Sequence, residues 1–191
     1  MKKIIMIAAM ALMSVAAMAQ DFKFGYVDFN EVIMLMPEMD EARKTIEENQ
    51  KTNEEILMTM YKEYETKMQQ YQQNNATWTP AVREMKEKEI MQLEQNLQQN
   101  QQVLQQEIQQ LQQQLQAPIY EKAQKVVNDL AKAKGLALVF EKNSLLYLDP
   151  AQGVDLTPEA RTALKIPADR TLEKLQQELQ ARAQAAAAQG N

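Results

Sequence analysis

Apolar and polar positions alternate with a helical rhythm over most of the middle of this chain. Ala42, Ile46, Asn49, Asn53, Leu57, Met60, Tyr64, Met68 and Tyr71 follow one another at spacings of three or four, as do Ile90, Leu93, Leu97, Asn100, Leu104, Ile108, Leu111 and Leu115. Such spacing lines up one face of a helix in a coiled coil. Pro37 and Pro118 bracket the region and Asn74 to Pro80 interrupts it. Proline removes a helical hydrogen bond and clashes with the preceding turn, so these positions are expected breaks. Two arms of nearly equal length remain, Glu38 to Asn74 and Pro80 to Ala117. Each would be about 56 Å long at 1.5 Å per residue. The pattern predicts an antiparallel helical hairpin over residues 38–117, with facing residues whose numbers sum to about 155. That rule sets Ile46 against Ile108, Leu57 against Leu97, and Asn53 near Asn100. A buried amide is costly unless paired, so a mutual Asn53–Asn100 hydrogen bond is expected to set the register. Each arm also carries a 3+4+4 step, Ile46-Asn49-Asn53-Leu57 and Leu97-Asn100-Leu104-Ile108, which relaxes a left-handed supercoil midway along the hairpin.

The period changes outside the hairpin. Phe22 to Asp28 alternates large and small residues and reads as a strand, with Asp28 and Glu31 placed as a capping box for a short helix through Val32, Ile33, Leu35 and Met36. Helix is expected to resume after Pro118 and stop at Gly135. Leu136 to Glu141 and Leu145 to Asp149 read as two strands of a β-hairpin around Lys142-Asn143-Ser144. Thr157-Pro158-Glu159 opens another helix with Thr157 as its cap, and Pro167 ends it. Arg170 to Ala188 is a final helix with an alanine-rich tail. The fold class is thus mainly α with a small β part. Residues 20–37 and 118–166 form a β-containing body, and 167–191 a helical extension. Three short strands leave open edges, so Phe24, Tyr26, Val27, Leu138, Val139, Phe140, Leu146 and Tyr147 are expected to pair with further copies.

The start of the chain has its own logic. Lys2-Lys3, the apolar run Ile4 to Ala17, and Ala17-Met18-Ala19 make a secretory signal peptide with cleavage expected after Ala19. The apolar run is short for a membrane span. No other stretch approaches that length, so no stable membrane insertion is expected.

Removal of residues 1–19 leaves 19 basic and 26 acidic groups, a net charge of −7 that argues against nucleic acid as partner. There is no cysteine for disulfides and no histidine, the commonest metal ligand and general acid–base group. Catalysis, cofactors and metals find no support in the sequence. Asp28 is a cap, and acids such as Glu54 and Glu55 read as a solvated helix face.

Binding is the remaining chemistry. Met58, Tyr61, Met91 and Val103 fall off the seam, and Trp78 stands at the tip. Methionine is flexible and polarizable, which suits a surface that meets varied apolar ligands. Met58, Tyr61, Trp78 and Met91 are therefore the contact candidates, with Trp78 equally readable as a ring covering the helix ends. Residues 92–116 hold 14 glutamines in 25 residues, with Glu94 and Glu107 the only charges. This is either a solvated helix face or an uncharged surface for many partners.

The order of elements is similar to that of the Skp/OmpH family of periplasmic chaperones. The resemblance is carried by Phe24-Gly25-Tyr26-Val27-Asp28, Val32-Ile33 and Met36-Pro37-Glu38 before the hairpin. After it come Ala131 to Phe140, Leu145-Leu146-Tyr147 and Asp155-Leu156-Thr157. The resemblance implies a homotrimer whose strands build one small β-barrel body bearing three helical tentacles. It also implies an ATP-independent holdase that keeps unfolded outer-membrane proteins in the cavity between them. The best-known members have basic tentacles, whereas residues 38–117 here carry 14 acidic and 8 basic groups. The alternative reading is a structural or adaptor coiled-coil protein of the cell envelope.

Overall fold

A computed structural model describes residues 23–149 and 151–189 of the chain. The expected signal peptide, and Phe22 at the start of the first expected strand, lie outside the described residues. The described chain divides into two compact units, one of them Glu38–Ile119 and the other made from the flanking parts of the sequence.

The first unit is the helical hairpin. Helix α2 spans Pro37–Asn74 and α3 starts at Pro80. Proline suits the first position of a helix because its missing N–H would be unpaired there anyway. Thr79 accepts the Val82 N–H through Oγ1 at 3.4 Å, and the Arg83 Nη2 donates to the Asn75 carbonyl at 3.0 Å across the turn. All nine expected seam positions of the outgoing arm and all eight of the return arm are buried or half-buried. Ala42 and Leu97 are the most enclosed apolar residues among them, 4% and 5% exposed, and Asn53 is 9% exposed.

Side-chain hydrogen bonds that cross the hairpin include Lys67 Nζ to Glu89 Oε2 at 3.3 Å, Tyr71 to Glu87, and Gln101 Nε2 to the Tyr61 hydroxyl at 2.6 Å. Their residue numbers sum to 156, 158 and 162. Helical side chains lean toward their own N-terminus. In antiparallel arms both partners then reach from slightly later positions, which lifts the sum above 155 for long side chains.

Two expectations about the hairpin are corrected. Helix α3 does not end at Ala117 but runs through Pro118 to Ala133. One proline removes one hydrogen bond, at a cost of about 3 kcal/mol, which flanking turns can offset when both sides are strong helix formers. The amides also bond differently from the cross-arm pair expected. Asn53 Nδ2 donates to Asn49 Oδ1 at 3.2 Å, and Asn100 Nδ2 donates to the Asn96 carbonyl at 2.8 Å. Each amide satisfies itself one turn back on its own helix, which demands no precise fit between arms.

The second unit is organised around helix α1, Phe29–Leu35. Asp28 Oδ1 accepts the Glu31 N–H at 2.9 Å, the cap expected of it. The Glu31 carboxylate does not return the bond but pairs with Arg161. Val32, Ile33, Leu35 and Met36 are buried. Against α1 pack α4, Thr157–Ala163, and α5, Leu172–Gln189. Leu156, Ala160, Leu164, Ile166 and Leu175 complete this core. Arg161 also donates to the carbonyls of Pro167 and Arg170, fixing the link into α5. Thr157 is the first residue of α4 and not its cap, because its Oγ1 accepts the Asp28 N–H at 3.0 Å. At the end of α3, Gly135 has φ +65° and the Leu136 N–H bonds the Ala131 carbonyl at 3.0 Å, the glycine stop expected.

The sheet differs from expectation. Strand β1 is Phe24–Val27, β2 is Leu138–Glu141 and β3 is Val154–Asp155. β1 lies in the middle and pairs in parallel with both, Gly25 opposite Val139 on one side and Val154 on the other. No β-hairpin forms, and Leu145 to Asp149 is not a strand. Lys142–Ser144 makes a 3-10 turn instead. Glu141 Oε2 accepts the Phe29 N–H at 2.9 Å, and Asn143 Nδ2 donates to Asp28 Oδ1 at 3.1 Å. These bonds tie the turn to the start of α1 and lead the chain away from β2.

Candidate functional site

Among the described residues no group of His, Cys, Asp or Glu side chains could hold a metal ion. No helix in the described chain is long and apolar enough to cross a membrane. The chemistry available is that of surfaces, and two stand out.

The first surface is the outside of the hairpin. Met58 is 71% exposed and Met91 67%, with Tyr61 and Val103 also open to solvent. Ile56 is exposed as well, and so is Met85, which the facing rule sets against Tyr71 in the seam. Ile56 adjoins the seam residue Leu57, so the period gave it no separate signal. Tyr61 is only partly available, since its hydroxyl already accepts from Gln101. Open grooves run beside the methionines, one lined by Lys88, Met91, Gln92, Glu94, Gln95 and Gln98, another by Ala81, Met85 and Glu89.

Trp78 is placed differently from Met58 and Met91. It is half-buried, and its ring meets Tyr71 edge-on with centroids 5.9 Å apart. Tyr71 donates its phenol to Glu87, and this hydrogen bond, with desolvation and the Glu87 charge behind it, holds the phenol above its usual range. Trp78 thus packs against Tyr71 at the tip. Nearby, Lys86 and then Lys67 hold the Glu89 carboxyl below the usual carboxylate range through hydrogen bonds.

Polar groups on the two arms are in different states. Thr45, Thr52, Thr59 and Thr66 recur every seven residues on α2, and each Oγ1 donates to the carbonyl four residues back at 2.7–3.0 Å. Those hydroxyl protons are committed. Of the 14 glutamines in residues 92–116, only Gln101 makes a side-chain hydrogen bond among the described residues.

The second surface is the sheet and the segment after it. Tyr26 and Val27 are buried in the middle strand, and Phe24 is half-buried against Phe140, ring to ring at 5.9 Å. Leu138 and Phe140 are exposed on the outer strand β2, while Val139 is half-buried. Leu146 and Tyr147 are 107% and 83% exposed, on a segment that is not a strand. Asn53 and Asn100 lie in the hairpin seam, buried and half-buried respectively.

Comparison with known proteins adds what geometry alone does not. The profile of the family described as outer membrane protein (OmpH-like) matches residues 23–164. The "Chaperone protein Skp" of Yersinia enterocolitica is 25% identical over 166 residues, which span 86% of this chain and all of that protein. The family match stops at the end of α4, so α5 lies beyond it.

Proposed function

The chain belongs to the OmpH-like outer membrane protein family, and from that premise we propose that it is an ATP-independent periplasmic holdase chaperone for unfolded outer-membrane proteins. The observation that carries the reading is the hairpin surface. Met58 and Met91 stand about 70% exposed, off a seam that is largely apolar and covered. Large apolar side chains left in water on the arm hold that free energy in reserve, and it is released when an unfolded chain covers them. Because methionine is flexible, each contact is replaceable and no client sequence is demanded.

The body has edges that further copies could share. Among the described residues the outer strands β2 and β3 each pair on one side only; Leu138 and Phe140 on β2 are exposed, as are Leu146 and Tyr147 in the segment that follows it. Apolar edges of this kind call for a partner strand. In our reading three copies share them, forming a common barrel from which three hairpins surround a cavity. Phe24, Tyr26, Val27 and Val139 lie in the strands that would line it.

The test uses the mature chain from Gln20. An unfolded outer-membrane β-barrel protein is diluted from urea with and without it, in the absence of ATP, and aggregation is followed by light scattering. Suppression at near-stoichiometric trimer supports the holdase. No effect at several-fold molar excess would instead favour an adaptor of the cell envelope. A light-scattering mass three times that of the chain tests the trimer separately.

A further inference from the structure

The glutamines of α3 are phased as well as numerous. Gln95, Gln98, Gln102, Gln105 and Gln109 follow Met91 at spacings of four, three, four, three and four, which puts all six on one stripe of the helix. All six are exposed. None of these five amides makes a hydrogen bond within the chain among the described residues; Lys88 and Glu94, of opposite sign, flank the head of the stripe in the groove beside Met91, and Glu107 falls on the far side of the helix. The stripe is thus a ladder of unpaired amides about 21 Å long, at 1.5 Å per residue, with a methionine at its head.

We propose that this ladder reads the backbone of the client, a reading that rests on the holdase function and specifies its chemistry. An amide side chain offers a donor and an acceptor together, the same pair that every peptide unit leaves unmet in an unfolded chain. An extended polypeptide presents such a pair about every 6.7 Å along one edge. The ladder offers one about every 5 Å. The two periods do not lock, so the client is held without register and can slide. Charge would select for charged clients; the five amides carry none, and Lys88 and Glu94 beside the head of the stripe are of opposite sign, so the side chains of the client are not sorted by sign. On the opposite arm the threonine stripe cannot share this role, because its hydroxyl protons are already donated to α2 itself.

The experiment compares the full mature chain with the variant carrying Gln95→Ala, Gln98→Ala, Gln102→Ala, Gln105→Ala and Gln109→Ala. Alanine is the stronger helix former, so the arm stays folded, which circular dichroism checks. The probes are a urea-unfolded, fluorescently labelled outer-membrane β-barrel protein and a twelve-residue strand peptide from it, made with and without N-methyl groups on alternate residues. The ladder predicts a Kd for the barrel protein about tenfold weaker in the variant, each solvent-exposed bond contributing only a fraction of its nominal strength. It predicts that the N-methylated peptide binds the wild type no better than the variant does. It also predicts that wild-type affinity changes less than about twofold between 50 and 500 mM salt. A variant as tight as wild type, or equal binding of both peptides, overturns the ladder and leaves the holdase standing. A wild type that does not bind the barrel protein overturns both.

Discussion

Serine at Met58 and Met91 separates a client-binding surface from ordinary surface variation. Burying a whole methionine side chain is worth about 1.5–3 kcal/mol. The two side chains are 71% and 67% exposed, so full coverage by a client could stabilise the complex by about 1–2 kcal/mol each. A client that moves among sites covers each for part of the time. The double variant Met58→Ser/Met91→Ser should therefore lose about 1.4 kcal/mol, which is tenfold in Kd. Because neither side chain packs in the seam, the fold should change by no more than about 0.5 kcal/mol. The assay is fluorescence titration of a labelled, unfolded outer-membrane barrel protein, paired with a thermal melt followed by circular dichroism. Leu97→Ala is the contrasting control. It empties a seam position that is 5% exposed and should cost about 2–5 kcal/mol of stability. Unchanged affinity in the serine double variant, with wild-type stability, would refute the placement of the client on these methionines. A large drop in melting temperature would refute it too, by showing that the two side chains are part of the packing.

Other positions give independent checks. Gly25→Ala should destabilise the body by about 1–3 kcal/mol, because a Cβ there would stand 2.7 Å from Leu136 Cδ1 and 3.1 Å from the Val154 carbonyl; a melt equal to wild type would show that the sheet yields. Lys165→Gly should raise stability by about 1 kcal/mol, since Lys165 holds φ 58° at the end of α4 where the Ile166 N–H closes onto the Arg161 carbonyl at 2.9 Å; chemical denaturation reads the shift. Trp78 is the sole tryptophan, so its emission reports the tip alone. Tyr71 has its folded pKa raised by the bond to Glu87, so that contact is fully present below the ordinary phenol range and is lost as pH rises through the raised value. Trp78 emission should then shift at a higher pH than free tyrosine ionises, and Tyr71→Phe should abolish the transition.

The hairpin was legible because helix period is a local property. Every seam residue from Ala42 to Tyr71 and from Ile90 to Leu115 announces itself by its distance to the next, and burial follows. The same holds for the tip, where Pro80 begins α3, and for the Gly135 stop. Pro118 was misleading for an instructive reason. A proline marks a local cost, but whether the helix ends there depends on what the turns on either side contribute, and α3 continues for 15 residues beyond it. The amides failed similarly. Spacing places Asn53 and Asn100 in the seam, yet it says nothing about which acceptor lies nearest, and Asn49 Oδ1 and the Asn96 carbonyl do.

The strands show where sequence pattern stops carrying topology. The apolar run Leu145 to Leu148 says that side chains there need cover; it does not say that a strand provides it. Val154 and Asp155 form a real strand of only two residues, too short to have any period, and they are placed by pairing with Gly25 and Tyr26. Gly25 is what admits both neighbours, since Leu136 and the Val154 carbonyl crowd the space a side chain would need. With β1 filled on both edges, the remaining free edges belong to β2 and β3. Leu146 and Tyr147 stay uncovered within the chain, so their cover must come from a partner or from water. Substituting both by serine distinguishes the two: if other copies cover them, Leu146→Ser/Tyr147→Ser should shift the light-scattering mass toward that of one chain while the isolated hairpin signal, Trp78 emission, stays as it was. An unchanged mass would mean that these side chains meet only solvent, and that the shared body is built without them.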